Sequence, residues 1–350
     1  MTVKRTNQLN AVGQSPKVRA RLTRAGELVV VRHGAYSDAP PAGALDRHRR
    51  LIAGTVPLLG EATVLSHVSA GVLHGLPSWE SMLAKVTVVR RTNGHGSRRR
   101  YLHVRTASLA PWEVVEVDGC TATSIERTAI DLARCVDFER AVAVLDAALH
   151  LGGDLLAMWD VLAQATGRHG VGTARAAMEF ADARSESVGE SVSRVRIADS
   201  GLPMPELQLN VFDSLGAWLA RPDFCWEALG VLGEFDGRVK YLGTRDEVAH
   251  AVMKEKRREA RLREMGWVVV RWEWADLADL QAFRRRVESA FAQARPATIR
   301  GRVGPSEPPS DRPRSRTAPS LPEFREEGHV SGAGRRGTRG SGGLWREREG

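Results

Sequence analysis

Two acidic residues stand near the ends of neighbouring predicted strands in the C-terminal half of the chain. Asp223 precedes the apolar residues Phe224–Trp226, and Glu234 lies within the apolar run Val231–Phe235. An unpaired carboxylate is costly to bury, so acids inside such runs favour an acidic site. A divalent cation held by one or two carboxylates on a rigid frame activates water for phosphodiester hydrolysis. The sequence therefore predicts a metal-dependent site built on Asp223 and Glu234.

Hydrophobic periodicity and helix-stop signals predict the elements that carry these acids. A helix over 188–200 is stopped by Gly201 and Pro203, and a long charged helix over 244–265 is stopped by Gly266. Alternating polar and apolar residues predict a hairpin. The full prediction is a helix over 188–200, a hairpin of strands 207–212 and 217–220, strands 224–226 and 231–235, a helix over 244–265, a strand over 267–272, and a last helix capped by Asp276 and ending near 292.

These residues resemble a known family, the PD-(D/E)XK nucleases, and within it the small Vsr-like (very-short-patch-repair-like) endonuclease domains. The resemblance spans roughly residues 185–292 and implies a restriction-endonuclease-like αβββαβ core over 185–294. The matching residues are Glu190-Ser191, Gly201-Leu202-Pro203, Asp223-Phe224, Glu234-Phe235-Asp236-Gly237, Gly266-Trp267 and Val270-Arg271.

The resemblance also implies roles for individual residues. Asp223 and Glu234 would bind Mg²⁺ or Mn²⁺, the Phe235 carbonyl oxygen would be a further ligand, and Glu190 would assist from the first helix. Glu190 also precedes Arg194 by four residues, a spacing typical of a solvated helical ion pair that contributes ~0.3 kcal/mol.

One position departs from the family pattern. The family has a Lys two residues after the second acid, and this chain has Asp236 there. Asp236-Gly237 alone is typical of a turn. A Lys that polarises the attacking water would then come from Lys240, Lys254 or Lys256, and the candidate catalytic set is Glu190, Asp223, Glu234, Asp236 and Lys240.

Charge is distributed unevenly along the 350 residues, which are enough for two or three domains. Residues 1–50 carry ten Lys or Arg against three acids, and residues 295–350 carry twelve against seven. A basic start on a near-neutral body indicates contact with double-stranded DNA, because phosphate contacts dominate such affinity. The Pro-, Gly- and Arg-rich segment 295–350 is predicted to be disordered. No apolar run approaches the ~20 residues of a membrane helix, so we expect a cytoplasmic protein without a membrane partner.

The basic start also has a helix-turn-helix pattern. Helices over 9–12 and 16–25 flank a turn in which Ser15 is the N-cap, and 26–36 form two strands of a wing. Residues 1–45 resemble the winged helix-turn-helix of AbiEi-type antitoxins, although a helix that usually precedes this pair is missing. The resemblance implies that DNA is bound by Lys17, Arg19, Arg21, Arg24 and Arg32. The alternative is a basic helix that packs on the neighbouring domain.

The AbiEi-like resemblance continues over a mixed α/β middle domain, residues 46–150, on the segments 66–77 and 123–134. Strands at 86–89 and 102–104 flank a loop over 91–100 that contains Arg98-Arg99-Arg100. Such a loop could hold a phosphate, or be an ordinary exposed basic loop. His67 and His74 share a helical face without an acid or Cys at ligand spacing, which indicates structural histidines. Residues 151–184 are predicted helical linkers.

Two functions follow from these patterns, on a multidomain protein of mixed α+β and α/β class. One is a DNA-binding protein whose C-terminal domain is a metal-dependent endonuclease. The other is an AbiEi-type antitoxin or transcriptional regulator, with a cognate toxin as partner and an inactive nuclease fold, in a type IV toxin–antitoxin or phage-defence system. Fold alone does not separate them.

Overall fold

The N-terminal residues form two short helices and a three-stranded antiparallel sheet in the computed structural model, which describes residues 3–91, 95–237 and 245–305. The Ser15 hydroxyl accepts a hydrogen bond from the Val18 N–H and starts the second helix. The two helices and two strands predicted here are present, and an additional strand joins them in the order β1-β3-β2. The elements are β1 (Val3–Arg5), α1 (Thr6–Ala11), α2 (Pro16–Arg24), β2 (Val29–Arg32) and β3 (Ala35–Ser37).

A six-stranded mixed sheet forms the centre of the next part of the chain. Its order is β6-β7-β5-β4-β9-β8, with parallel pairs β5/β7 and β4/β9. The two strands predicted at 86–89 and 102–104 are confirmed. The elements are α3 (Ala44–Thr55), β4 (Thr63–Leu65), α4 (His67–His74), β5 (Val86–Arg90), β6 (Ser97–Arg98), β7 (Leu102–Thr106), β8 (Val114–Val117) and β9 (Cys120–Thr123).

Four helices follow this sheet and share one apolar core. Each of the first three begins at a residue whose side chain accepts a backbone N–H, namely Ser124, Asp137 and Asp154. Their buried faces pack against α4 and contain Ile130, Leu145 and further aliphatic residues. The helices are α5 (Ile125–Ala133), α6 (Phe138–His150), α7 (Leu155–Gln164) and α8 (Val171–Phe180).

The C-terminal part is a four-stranded mixed sheet flanked by helices, beside a smaller three-stranded sheet. The larger sheet has the order β10-β13-β14-β15, and the smaller one β12-β11-β16. Strands β13 and β14 are antiparallel, whereas β14 and β15 are parallel and connected through α10. The elements are α9 (Val188–Asp199), β10 (Glu206–Leu207), β11 (Asn210–Phe212), β12 (Trp218–Ala220), β13 (Phe224–Trp226), β14 (Val231–Phe235), α10 (Arg245–Glu264), β15 (Val268–Trp272), α11 (Trp274–Ala278), α12 (Leu280–Gln293) and β16 (Arg302–Gly304).

Aromatic packing fixes the first helix of this part against the sheet. The buried Trp272 indole packs against Phe224 and Phe283, and its Nε1 donates to the Ser193 hydroxyl at 2.8 Å. Gly233 makes room for that indole, since a Cβ there would lie 2.6 Å from the Trp272 ring. Helix α9 is therefore held close to the strands that carry Asp223 and Glu234.

Three predictions for the C-terminal part are corrected. The strand expected over 207–212 is broken at Gln208, whose φ of 54° turns the chain so that β10 and β11 join different sheets. The last helix is capped by Asp279, whose side chain accepts the Gln281 and Ala282 N–H groups, and not by Asp276. The segment from 295, expected to be disordered, contributes β16 to the smaller sheet; residues 306–350 lie outside the described residues.

A buried ion pair connects α6 to α9. The Arg194 guanidinium donates to Asp146 at 2.8 Å and to the Phe180 carbonyl oxygen at 2.6 Å, and it lies over the Phe180 ring. Arg194 therefore pairs with Asp146 and not with Glu190, so the solvated Glu190–Arg194 pair is not formed. Burial keeps the pKa of Asp146 raised even beside this guanidinium.

We expect Arg194→Met to lower the free energy of unfolding by about 3–5 kcal/mol at neutral pH, because it leaves the buried Asp146 carboxylate without its counter-charge. The loss shrinks as pH falls and Asp146 takes up a proton. Arg196→Met is the matched control, since Arg196 pairs with Glu139 at a more exposed position and its loss costs about 1 kcal/mol or less. Urea denaturation at several pH values measures both, and equal losses would contradict the role given to Arg194.

Candidate functional site

Asp223 lies at the start of β13, beside the end of β14. Phe224 pairs with Gly233 in the antiparallel ladder, and the next step of the same register sets Asp223 opposite Glu234. The Phe235 N–H donates to Asp223 Oδ2 at 2.8 Å. The two acids predicted from the sequence are therefore neighbours across two adjacent strands.

Glu190 approaches the same strands from the first turn of α9. Its carboxylate accepts the Ser187 hydroxyl at 2.7 Å and the Glu186 N–H at 2.9 Å, and its residue is 8% exposed. Unpaired N–H groups at a helix N-terminus favour a carboxylate there. Gly189 allows the close approach, because a Cβ at that position would lie 1.9 Å from the Phe235 ring.

Gln208 connects the two acids, and the sequence did not indicate it as a functional residue. Its side-chain amide donates to Glu190 Oε2 at 2.9 Å and to Asp223 Oδ1 at 3.4 Å. Its backbone N–H donates to the Asp223 carbonyl oxygen at 3.1 Å. The left-handed backbone of Gln208 turns its side chain into the site, where it is 5% exposed. A polar residue between Leu207 and Leu209 was the only sequence signal.

Burial and mutual repulsion make these carboxyl groups hard to ionise. Burial, followed by the charges of Glu190 and Glu234, raises the pKa of Asp223 to about 7, although the Phe235 N–H opposes the shift. Burial also raises the pKa of Glu190, against its hydrogen bonds from Glu186 and Ser187. A cation bound here would relieve both costs, and such perturbed groups are concentrated at functional sites.

Glu234 has a different environment, because two arginines bind its carboxylate. Arg258 of α10 donates to Oε1 at 2.9 Å and Arg271 of β15 donates to Oε2 at 2.8 Å. Glu255 also contacts both arginines. The charge of Glu234 is thus compensated within the protein. The sequence indicated Arg258 only as part of the charged helix over 244–265, and Arg271 only through the Val270-Arg271 match.

Two carboxylates, Asp223 and Glu234, are the acidic metal ligands that the resemblance implies, and both belong to the described residues. In that part of the chain no three His, Cys, Asp or Glu side chains converge as a metal-binding group. Mg²⁺, however, is usually bound in proteins through one or two carboxylates. The hard oxygen donors of Asp223 and Glu190, raised in pKa and joined by one amide, suit such an ion. The Phe235 carbonyl as a ligand stays a prediction.

Two of the remaining catalytic candidates, Asp236 and Lys256, have described side chains. Asp236 is exposed, and its N–H donates to the Trp272 carbonyl oxygen at 2.8 Å, which extends the β14/β15 pairing. Lys256 is exposed on α10. Lys240 lies outside the described residues, as does the side chain of Lys254.

The basic residues of the N-terminal part divide into two groups. Lys17, Arg21 and Arg24 are exposed on α2. Arg19 is buried, where it donates to Asn10 Oδ1 at 2.6 Å and to the Gln14 carbonyl oxygen. Arg32 is half-buried, donates to the Thr55 hydroxyl at 2.8 Å and lies over the Tyr101 ring. Both arginines therefore join elements of the fold, and their contact with DNA stays a prediction.

Asp223→Asn is expected to stabilise the protein at about pH 8, by about 2 kcal/mol. The pKa of Asp223 in the folded protein lies above its ordinary value of 3.8. Protonation of Asp223 therefore stabilises the folded state, and this stabilisation is lost as the pH rises toward about 7. Asparagine imitates the protonated form, so the difference from the natural protein vanishes near pH ~4.

The measurement is the free energy of unfolding in urea across this pH range. Asp199→Asn, an exposed change on α9, is the control and should show no such dependence. A variant Asp223→Asn that is less stable than the natural protein at about pH 8 would show that Asp223 is not held against its ionisation.

Comparison with known proteins finds relatives without an assigned function. No family model matches the chain. The chain is 32% identical over 251 residues to the uncharacterized protein Rv2248 of Mycobacterium tuberculosis strain ATCC 25618 / H37Rv, an alignment that covers 70% of this chain and 85% of the relative. The same figures hold for the uncharacterized protein MT2308 of strain CDC 1551 / Oshkosh.

Among solved structures, the crystal structure of the RV2827C protein from Mycobacterium tuberculosis is similar at 16% identity and a TM-score of 0.33, covering 59% of this chain and 78% of that chain. A TM-score this low does not establish a shared fold. Among the described residues, none of the helices has both the length and the apolar character needed to cross a membrane.

Proposed function

We propose a nuclease function for this chain, which belongs to the family of the uncharacterized Mycobacterium tuberculosis protein Rv2248. In this proposal the C-terminal domain of the chain, residues 185–294, is a divalent-metal-dependent endonuclease that hydrolyses phosphodiester bonds of double-stranded DNA in the cytoplasm. The observation that carries the proposal is the buried Asp223 carboxyl, whose pKa is raised to about 7 beside Glu190 and Glu234. Burying such a cluster costs free energy that an apolar residue would not, and strongly perturbed carboxyl groups are concentrated at functional sites.

The architecture around Asp223 supports the same proposal. Helix α9, the antiparallel strands β13 and β14, helix α10 and the parallel strand β15 follow one another in the order implied by the Vsr-like resemblance. Asp223 and Glu190 enter from two of these elements, and Glu234 from a third. Sites on regular elements hold their groups more precisely than sites on loops.

Within this proposal, Asp223 would hold Mg²⁺ or Mn²⁺ together with Glu190 or Glu234, and the ion would lower the pKa of a bound water and stabilise charge on the phosphate. Gln208 orients the two carboxylates through its amide hydrogen bonds. Arg258 and Arg271 hold Glu234 beside them. The exposed cations Lys17, Arg21 and Arg24 on α2 would contact the phosphate backbone and so hold the protein on duplex DNA.

A second candidate is an AbiEi-type antitoxin or transcriptional regulator that binds DNA and a cognate toxin without cleaving DNA. Two observations favour it. Glu234 is already neutralised by Arg258 and Arg271. Asp236 stands where the resembling family has its Lys. In this reading the acidic cluster is a remnant that the protein tolerates.

Purified protein with Mg²⁺ or Mn²⁺ is expected to nick or cleave plasmid DNA, and Asp223→Ala should lower the rate by about 100-fold or more, because the cation loses its shared ligand. Asp199→Ala, exposed on the same domain, is the matched control and keeps the rate. Gel assays of supercoiled DNA over a range of metals and substrates measure both.

A different result would favour the regulator. If no metal supports cleavage, and the protein binds its own promoter with an affinity that falls steeply with salt, the endonuclease proposal fails. Cleavage that survives Asp223→Ala in full would contradict the assigned site.

A further inference from the structure

A basic pocket of about 590 Å³ lies in the middle domain, far along the chain from Asp223. One wall is formed by β6 and β7, another by α5, and Arg168 lines it from the loop between α7 and α8. Its charged lining consists of Arg98, Arg105, Arg127, Arg134, Arg168 and Asp131. The size is that of a typical small-molecule site.

Two of these arginines are already neutralised. Asp131 accepts from Arg127 at 2.7 Å and from Arg134 at 2.9 Å, and Arg127 also donates to Glu113 at 2.9 Å. Asp131 is the only acid that lines the pocket among the described residues. The two acids and two arginines form a buried, balanced network that supports the pocket wall.

The other three arginines keep their charge uncompensated. Within the described ranges, Arg98, Arg105 and Arg168 make no ion pair with a carboxylate. The Arg105 Nε is buried there without a hydrogen-bond partner, and its Nη2 reaches only the Cys135 sulfur at 3.8 Å. A buried guanidinium nitrogen without a partner is costly, which points to a ligand that accepts a hydrogen bond from it.

Two histidines of the lining are neutral at physiological pH. Burial lowers the pKa of His67 to about 4. Burial and the nearby charges of Arg105 and Arg98 lower the pKa of His103. His67 also has a φ of 48°, a strained conformation for a residue other than glycine, and such strain is concentrated at ligand sites. Neutral rings add hydrogen-bonding nitrogens without further repulsion.

The loop that carries Arg168 is fixed against α5. The Arg134 Nε donates to the His169 carbonyl oxygen at 3.2 Å. Gly170 has a φ of +75°, and a Cβ there would lie 1.9 Å from the Arg134 carbonyl oxygen, so no other residue fits. Arg168 is thereby kept at the pocket rim before a ligand arrives.

We propose that this pocket binds the phosphate groups of a nucleotide-sized anion, with Arg105, Arg168 and Arg98 as its charged contacts. Guanidinium groups bind phosphate oxygens in pairs of parallel hydrogen bonds, which makes Arg the residue suited to this anion. Two sources share that chemistry: a free nucleotide, and the 5′-phosphate at the end of a nucleic-acid strand. The site is independent of the endonuclease proposal, since it shares no residue with the Asp223 cluster.

Titration calorimetry of the full-length protein with inorganic tripolyphosphate tests the proposal. We expect saturable binding, weakened by about tenfold or more in Arg105→Gln and again in Arg168→Gln, because each removes a charge-assisted contact. Neither residue has a carboxylate partner in the part of the chain that the structure describes, so both variants should keep the thermal unfolding midpoint of the natural protein. Arg175→Gln, an exposed change on α8 outside the pocket, is the matched control and leaves the Kd within about twofold.

Two further ligands separate the sources. Tight binding of ATP that depends on Arg105 supports a free nucleotide. A 5′-phosphorylated oligonucleotide that binds better than its 5′-hydroxyl counterpart, again through Arg105, supports a strand end. The proposal is overturned if tripolyphosphate shows no saturable binding, if Arg105→Gln and Arg168→Gln bind it as the control does, or if neither ATP nor the 5′-phosphate of the oligonucleotide binds through Arg105.

Discussion

Repulsion among buried carboxyl groups is the constraint around which the C-terminal domain is arranged. Burial in the first place, and then the charges of Glu190 and Glu234, raise the pKa of Asp223 to about 7, so these carboxyl groups do not all ionise without a compensating cation. The domain compensates the charge of Glu234 with arginines, and it leaves Asp223 and Glu190 with neutral donors. This asymmetry leaves Asp223 and Glu190 as the pair that a cation would stabilise.

Neutral hydrogen-bond donors hold that pair without removing its negative potential. Gln208 contacts both carboxylates, the Ser187 hydroxyl donates to Glu190, and the Phe235 N–H donates to Asp223. Hydrogen bonds of this kind orient a carboxylate, whereas an arginine in the same position would also compensate its charge. Glu234, bound by two arginines, illustrates the second arrangement in the same sheet. Asp223 and Glu190 are thus oriented by neutral donors, whereas the charge of Glu234 is neutralised by arginines.

Local signals predicted much of this frame, and tertiary contacts account for what they missed. Helix α9, strand β14 and helix α10 begin and end within about two residues of their predicted bounds, because Gly201, Gly266 and the apolar runs are local stops and starts. Gln208 was hidden, since its turned backbone is stabilised by contacts with Asp223 and Glu190 from distant parts of the chain. The structural role of Arg19 was hidden as well, because sequence spacing does not show that Asn10 and Gln14 bind its guanidinium.

The proposed metal site depends most directly on the ionisation of Asp223. A carbon-13 NMR titration of its carboxyl carbon, assigned by comparison with Asp223→Asn, measures that pKa with and without Mg²⁺. Without the ion the pKa should lie near about 7, and saturating Mg²⁺ should lower it, because a bound cation favours the carboxylate. A pKa near the ordinary value of 3.8 that Mg²⁺ does not change would contradict the central claim.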